Sequence, residues 1–255
     1  MAQEIEKVNG IGFTDIEKIN GKTDANIENF NSFEFSAPSF GPPALDAISE
    51  DTESTGASTQ THSHTTGTGV GRGMIVAISQ TDTGGGGAPA VPSGVTYGGV
   101  AMTQEFTNYQ YADQVRVTVF SLINPASGAN NVVASFSATT GAASSIKVIT
   151  FAGLKQSDMF AASAGAQWEF PDGVESVSYE RDDMVVGTFG IDFIHIAGSP
   201  SSISAGAGTL IGSNLSGFNG RYIVCASTTV TFAWSWSGSG TALQLIARTI
   251  SDVYS

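Results

Sequence analysis

From residue 59 onward, the chain is a succession of short runs rich in β-branched residues, separated by glycine, proline and serine. Such runs are typical of strands, and the residues between them are typical of turns. Because no helical pattern lies between the runs, the sequence predicts an all-β fold of antiparallel sheets packed face to face. The clearest runs are residues 74–79, 114–123, 131–137, 146–151 and 184–194.

The first 35 residues follow a different pattern. Ile5, Ile16 and Ile27 each begin the same phrase of isoleucine, glutamate, a polar residue, an apolar residue and asparagine, with a step of eleven residues. An 11-residue repeat can form a right-handed coiled coil, but Asn9-Gly10 and Asn20-Gly21 interrupt a helix. Each repeat is therefore predicted to be one short helical turn, a glycine reversal and a few extended residues.

Three such repeats are too short to enclose a core, yet their regular apolar residues are unlike those of a solvated tail. We therefore predict that residues 1–35 form an extended arm that docks on another protein. The alternative is a segment that packs against the rest of this chain. The residues expected to make the docking contact are Ile5, Val8, Ile11, Ile16, Ile19, Ile27, Phe30 and Phe33.

A change in composition separates this arm from the strand-rich region. Pro38, Pro42 and Pro43 favour an extended backbone, and the stretch 49–58 consists of acidic and small residues. Residues 36–58 are therefore predicted to be a linker, and residues 59–255 are predicted to be one β-sandwich.

Composition and charge exclude several classes of protein. The net charge is −13, and residues 1–58 hold eleven acidic side chains against three basic ones, which argues against a nucleic-acid-binding protein. Cys225 is the single cysteine, so an intrachain disulfide is excluded. No apolar run is long enough to span a membrane, and Met1 is followed by acidic and polar residues rather than by the pattern of a signal peptide. We expect synthesis in a cytoplasm and no membrane partner.

The strand-rich region resembles a known family. Its motifs follow one another as in a jelly-roll-like sandwich domain that occurs in bacterial surface proteins and in structural proteins of tailed bacteriophages. The resemblance covers most of residues 60–255. The motifs are residues 64–67 (His-Thr-Thr-Gly), 72–79, 94–103, 115–128, 131–137 and 146–154, with a further match near residues 243–247.

The arm carries a second resemblance. The phrase Ile-Glu-Lys-Val-Asn-Gly-Ile at residues 5–11 is similar to N-terminal segments of virion proteins from environmental, especially aquatic, phages. Together the two resemblances imply a jelly-roll-like sandwich displayed in many copies on a phage particle, as a capsid decoration or a tail component, with other virion proteins as partners. They imply no catalytic residues and no cofactor. The alternative function is a carbohydrate-binding module for host adhesion.

Few residues suggest chemistry. His62 and His64 share a strand face and could hold a metal, but without a clear third ligand a solvated strand edge is the favoured interpretation. Asp192 and His195 are an odd number of residues apart, which predicts opposite faces of one strand. No nucleophile elbow or phosphate-binding loop is present, so we expect no enzymatic activity. An acidic stretch supplies weak calcium candidates, with a solvated loop as the favoured alternative: Asp172, Asp182 and Asp183.

Aromatic residues offer a second kind of site. Phe232, Trp234 and Trp236 alternate along one strand, so their side chains share a face that belongs either to the core or to a sugar-stacking surface. The core is the favoured interpretation, and Trp236 is the least certain because a Ser-Gly loop follows it. Tyr109 and Tyr111 lie in a polar stretch. Tyr109, Tyr111 and Trp236 are therefore the predicted glycan contacts.

Overall fold

A computed structural model divides the chain into two units, residues 1–39 and residues 40–255. Every element that it describes is a strand, and every strand pairing is antiparallel, so the predicted all-β fold of antiparallel sheets is confirmed. No helix in the described part of the chain is long and apolar enough to cross a membrane. The residues described are 7–8, 11–12, 18–19, 22–23, 43–53, 57–82, 89, 91–110, 115–136, 142–154, 156, 176–198, 202–213, 217–237 and 240–249.

The first unit contains two very short hairpins. Its strands are β1 (Lys7–Val8), β2 (Ile11–Gly12), β3 (Lys18–Ile19) and β4 (Lys22–Thr23). β1 pairs with β2 across Asn9-Gly10, and β3 pairs with β4 across Asn20-Gly21. The predicted helical turn is therefore wrong for the first two repeats, because residues 7–8 and 18–19, which precede each Asn-Gly, are strands. The third repeat lies outside the described residues. Asn-Gly between β-branched or extended residues is the strongest short signal for a two-residue hairpin, and here it outweighs the helical spacing.

The second unit contains sixteen described strands. They are β5 (Ala44–Glu53), β6 (Thr59–Thr66), β7 (Gly73–Asp82), β8 (Pro92–Tyr97), β9 (Val100–Ala101), β10 (Thr103–Gln110), β11 (Val115–Ile123), β12 (Gly128–Phe136), β13 (Ala142–Ala152), β14 (Ser176–Arg181), β15 (Phe189–Gly198), β16 (Ser202–Ala205), β17 (Thr209–Leu210), β18 (Phe218–Val224), β19 (Val230–Ser237) and β20 (Gly240–Thr249). They form sheet 1 (β6-β12-β8-β9), sheet 2 (β10-β11-β7-β13-β5), sheet 3 (β17-β18-β15-β20) and sheet 4 (β14-β19-β16).

Three apolar clusters show that these sheets are stacked in four layers. Along β7, Met74, Val76 and Ile78 pack towards sheet 1, whereas Ile75 and Ala77 pack towards sheet 3. Because β7 is covered on both faces, its sequence is a continuous apolar run rather than an alternating one. The third cluster lies between sheets 3 and 4, and its buried members are Ile194, Ile196, Trp234 and Trp236.

The layers form two sandwiches, sheets 1 and 2 and then sheets 3 and 4, and the second repeats the strand order of the first. The seven strands from β14 to β20 can be matched one to one, in chain order, with β6, β7, β8, β10, β11, β12 and β13. Each strand then has the same sheet neighbours as its match. Strands β5 and β9 have no counterpart among the described strands. The expectation of one sandwich over residues 59–255 is thus too simple, because alternation predicts which residues are buried but not which sheets cover them.

Part of the predicted linker also belongs to the fold. β5 lies within residues 36–58 and forms the edge strand of sheet 2, where Ile48 is paired with Ile149 of β13. Its acidic side chains resemble those of a solvated segment in the sequence, but edge strands commonly carry charge. The structure also provides partners for them: Lys147 Nζ donates a hydrogen bond to Glu50 Oε2 at 2.7 Å. The predicted linker is therefore wrong for residues 44–53.

Lys147 also connects the two sandwiches. Its side chain is fully buried, and its ammonium group donates to Glu50 and to the carbonyl oxygens of Ile211 at 2.9 Å and Ser213 at 2.6 Å. Glu50 in turn accepts a hydrogen bond from the backbone nitrogen of Ser213 at 2.8 Å. All three ammonium donors thus have acceptors, as a buried lysine requires.

Candidate binding surfaces and polar sites

The hairpins of the first unit are the candidate docking surface. Each has only two residues per strand, and an isolated two-stranded hairpin is at best marginally stable in water. Val8 is paired with Ile11, and the equivalent pair in the second hairpin is Ile19 with Lys22. Such hairpins therefore require a further surface for stability. The remaining predicted docking residues, Ile5, Ile16, Ile27, Phe30 and Phe33, lie outside the described residues.

A shallow groove of about 730 Å³ lies on the outer face of sheet 1. Asn130, Asn131, Ser63 and Thr96 supply neutral hydrogen-bonding side chains along it. Its rim is the β8–β9 turn, where Gly98 and Gly99 both have positive φ (55° and 83°), as a two-residue turn between right-twisted strands requires. The groove offers hydroxyl and amide groups to a neutral polar ligand.

An equivalent groove lies on the outer face of sheet 4. Its volume is about 300 Å³, and it lies over β14, β19 and β16, the counterparts of β6, β12 and β8. Hydroxyl groups and small residues line it, and no charged side chain is among its lining residues. They include Ser176, Ser178, Ser204, Gly206, Ala233 and Ser235.

The predicted aromatic contacts do not form a surface. Phe232, Trp234 and Trp236 all point into the second sandwich, and Trp236 is only 6% exposed, so its predicted glycan contact is wrong. Tyr109 is half-buried, and the Arg116 guanidinium lies 5.1 Å from the centre of its ring, which leaves less of the ring for a sugar. Tyr111 lies outside the described residues.

In the acidic stretch, Asp183 forms an ion pair with Arg181. Arg181 donates two hydrogen bonds to Asp183, one from Nε to Oδ1 at 2.7 Å and one to Oδ2. This hydrogen bonding lowers the pKa of Asp183. Both carboxylate oxygens of Asp183, one of the weak calcium candidates, are therefore engaged by Arg181. Asp182 is exposed, and Asp172 lies outside the described residues. Wherever side chains are described, no group of three acidic, histidine or cysteine residues could hold a metal ion.

His62 and His64 belong to a chain of hydrogen bonds that joins β6 to β5 and β13. Ser49 Oγ lies 2.6 Å from His64 Nδ1 and 2.8 Å from His62 Nε2. His64 Nε2 lies 3.2 Å from Thr150 Oγ1, which donates to Asp46 Oδ2 at 3.0 Å. We call these five residues the His–Ser chain. His64 is 2% exposed, so the interpretation of a solvated strand edge is wrong for it.

The positions of the protons in the His–Ser chain follow from chemistry. A carboxylate only accepts hydrogen bonds, so the Thr150 hydroxyl donates to Asp46 and its oxygen accepts from His64 Nε2–H. Burial lowers the pKa of His64 to about 4, so the ring is neutral at pH 7 and its Nδ1 carries a lone pair. Nδ1 therefore accepts the Ser49 hydroxyl, and the Ser49 oxygen accepts from His62 Nε2–H.

Ser49 and His64 have the spacing of a nucleophile and its base, but two features oppose that role. A ring whose pKa is about 4 is a poor base at neutral pH. The Ser49 oxygen already accepts a hydrogen bond from His62. The His–Ser chain is therefore suited to holding three strands together. Sequence reasoning missed it because Ser49 and Thr150 join the histidines only through the packing of the strands.

A buried ion pair occupies the core of the second sandwich. Arg221 of β18 donates to Asp192 Oδ2 through Nε at 3.1 Å and through its terminal nitrogen at 3.0 Å, and Trp234 Nε1 donates to the same oxygen at 2.7 Å. Both charged side chains are 0% exposed. Burial raises the pKa of Asp192 to about 6, although Arg221 opposes this.

His195 lies between the two sandwiches. Its Nδ1 is 2.5 Å from Ser79 Oγ of β7, and burial lowers its pKa to about 4. Asp192 faces sheet 4 instead, where it meets Trp234. The predicted placement of Asp192 and His195 on opposite faces of one strand is confirmed.

Neither a known family model nor a curated protein matches the chain. Its function is therefore inferred from the surfaces described above. The N-terminal hairpins and the two outer grooves are the places where a partner could bind. Three polar groups of the interior have partners within the chain and serve the fold: Lys147 with Glu50, the His–Ser chain, and Asp192 with Arg221. In the last of these, Oδ2 of Asp192 accepts the hydrogen bonds, and Oδ1 has no hydrogen-bond partner among the described residues.

Proposed function

We propose that this chain is a non-enzymatic structural protein on the surface of a phage particle, either a capsid decoration or a tail component. Residues 1–35 anchor it to other virion proteins. The observation that carries the proposal is that residues 1–39 form a unit of their own with two hairpins, each of which has only two residues per strand. Because hairpins of this size are not stable alone, the arm has a role only against another surface.

The body is proposed to be jelly-roll-like and to be the displayed part. The strand order supports this, because β5-β13-β7-β11 in sheet 2 and β6-β12-β8-β9 in sheet 1 together supply eight strands in two sheets. Successive strands from β5 to β8 and from β11 to β13 alternate between these sheets. A double-sheet jelly roll has this arrangement, and it occurs in viral capsid and lectin domains.

Deleting residues 1–39 tests the proposal. The truncated body should remain folded, because all four apolar clusters of the described residues lie in residues 40–255. It should fail to join the particle when it replaces the full chain during assembly. Circular dichroism provides the control for folding, and localised density on the assembled particle distinguishes a capsid position from a tail position. Normal incorporation of the truncated chain would refute the anchoring role.

A second candidate is a carbohydrate-binding module for host adhesion. The observation that favours it is the pair of neutral, hydroxyl- and amide-lined outer grooves at equivalent places in the two sandwiches. A glycan array with the full chain tests this function. Binding that is lost in an Asn130→Ala, Asn131→Ala double variant would support it. An array without a hit, or a hit unaffected by the double variant, would count against the sheet 1 groove.

A further inference from the structure

The attachment of β5 depends on a few side chains as well as on backbone pairing. Among the described strands, the edge strand β5 is paired only with β13. Ile48 packs on the core between sheets 2 and 3, and Thr52 lies 3.4 Å from Ser145. The remaining inward contacts are made by Asp46 and Ser49, which belong to the His–Ser chain, and by Glu50, which binds Lys147.

Protonation would disrupt this arrangement at a defined atom. Nε2 of His64 already carries a proton, so the next proton adds to Nδ1 and removes the acceptor of the Ser49 hydroxyl. The result is a cation in a buried place and a hydroxyl proton that needs a new partner. Protonation of His62 at its Nδ1 would place a second positive charge on the other side of the same Ser49 oxygen.

Acidic groups near the two rings offset the cost of protonating them only in part. From β5, Asp46 favours a charged His64, and Asp51 and Glu50 favour a charged His62. His62, on the same strand, is the other titratable neighbour of His64, and its positive charge disfavours a charged His64. Thr150 of β13 lies at Nε2 of His64, and the ring centre of Tyr97 of β8 lies 6.3 Å away. Lys147 of β13 is cationic but is paired with Glu50. The loss of hydration on burial remains the largest influence on both rings.

We propose that the His–Ser chain is an acid-sensitive clasp, which holds β5 on the body at neutral pH and releases it when His64 and His62 bind protons. The geometry of five residues on three strands carries this inference. It rests on the proposed function only in its consequence: β5 is the first body strand after the arm in sequence, so its release would lengthen the tether of a particle-bound body.

The pH range follows from the direction of the change in pKa. Burial lowers the pKa of His64 to about 4 from its ordinary value of 6.5. A group whose pKa is lowered in the folded state supports that state fully above the unfolded value. This support is lost progressively as the pH falls from about 6.5 towards 4. Each unit of difference in pKa corresponds to about a tenfold change in the equilibrium between held and released β5.

Hydrogen–deuterium exchange of the full chain, corrected for the intrinsic effect of pH, tests the clasp. We expect protection of residues 44–53 to fall by at least about tenfold between pH 7.5 and 4.5. Protection of β7, in the centre of the same sheet, should fall much less. An equal loss of protection by β5 and β7 would mean global unfolding and would overturn the proposal. Unchanged protection of β5 would overturn it as well.

Two variants test whether the pH dependence of exchange in β5 comes from the His64 ring. In His64→Gln the exchange of β5 should no longer depend on pH over this range, whatever its rate at pH 7.5. His195→Gln removes another buried histidine that does not touch β5, so the response of β5 to pH should persist. Persistence in His64→Gln would overturn the proposal. Deletion of residues 1–39 should leave the clasp intact, so failure of the clasp and failure of the anchoring function are distinguishable.

Discussion

The two sandwiches place different side chains on the corresponding faces of their inner sheets. In sheet 2, Val76 of β7 is paired with Phe120 of β11, and both join the apolar core. In sheet 3, the counterpart strands place Asp192 opposite Arg221, and both are fully buried. The same strand order therefore accommodates an apolar pair in one sandwich and an ion pair in the other.

The difference shows what each position requires. An apolar pair needs only matching volume, whereas a buried ion pair also needs hydrogen bonds for its remaining polar atoms. Trp234 Nε1 and the carbonyl oxygen of Ala207, which accepts from Arg221 at 2.8 Å, supply part of them. The Arg221 guanidinium also lies 4.9 Å from the centre of the Trp234 ring. The second sandwich thus depends on a set of polar contacts that the first lacks at this place.

The largest effect is expected when one partner of the ion pair is removed. Arg221→Leu leaves Asp192 buried without its cation, which typically costs about 3–5 kcal/mol. Urea denaturation followed by tryptophan emission measures this, since Trp234 and Trp236 lie in the second sandwich. The matched control is Phe120→Leu, which should cost much less because an apolar replacement leaves no charge unpaired. Equal costs for the two variants would contradict the role of the pair.

Acid should destabilise the first sandwich more than the second. Burial lowers the pKa of His64 to about 4, so the first sandwich loses roughly 2–3 kcal/mol of stability as the pH falls from 6.5 to 4. In the second sandwich two groups oppose each other: burial raises the pKa of Asp192 to about 6, which favours the folded state as the pH falls, whereas burial lowers the pKa of His195 to about 4, which disfavours it. Hydrogen exchange of β12 and β19 at pH 7 and pH 4.5 should show β12 losing protection first. Loss of protection by β19 before β12 would contradict this prediction.

The smallest effect is expected when the ion pair is replaced by the residues of the first sandwich. The double variant Asp192→Val, Arg221→Phe removes both charges, and such replacements are often neutral or stabilising. Trp234 Nε1 then loses its acceptor, which costs about 1 kcal/mol or more. We expect a net change near zero by urea denaturation. A loss as large as that of Arg221→Leu would show that the two sandwiches are not interchangeable at this position.

The sequence indicated several central strands of the fold correctly, because β-branched runs and turn residues act locally. The runs at residues 74–79, 114–123, 131–137 and 146–151 all correspond to β7, β11, β12 and β13. The layering was not predictable in this way, since periodicity does not tell which sheet covers a buried face. β5 was missed because its charges are neutralised by distant partners such as Lys147.

The candidate sites were less predictable than the strands. A Ser-Gly stretch follows Trp236 in the sequence, yet strand alternation places Trp236 in the core with Trp234. The His–Ser chain unites residues up to 104 positions apart, Asp46 and Thr150, and the Asp192–Arg221 pair depends on the register of β15 and β18. No local pattern contains this information. The 11-residue repeat was recognised, but its Asn-Gly pairs signalled hairpins rather than helix ends.

We propose that the arm anchors the protein through its apolar residues. A fully buried apolar side chain contributes about 1.5–3 kcal/mol, whereas an exposed ion pair contributes about 1 kcal/mol or less. Retention on purified particles, measured across ionic strength, tests this directly when Ile19→Asp is compared with the neighbouring Lys18→Gln. We expect that Ile19→Asp is released while salt and Lys18→Gln have little effect. Release by moderate salt, with Ile19→Asp retained, would contradict it.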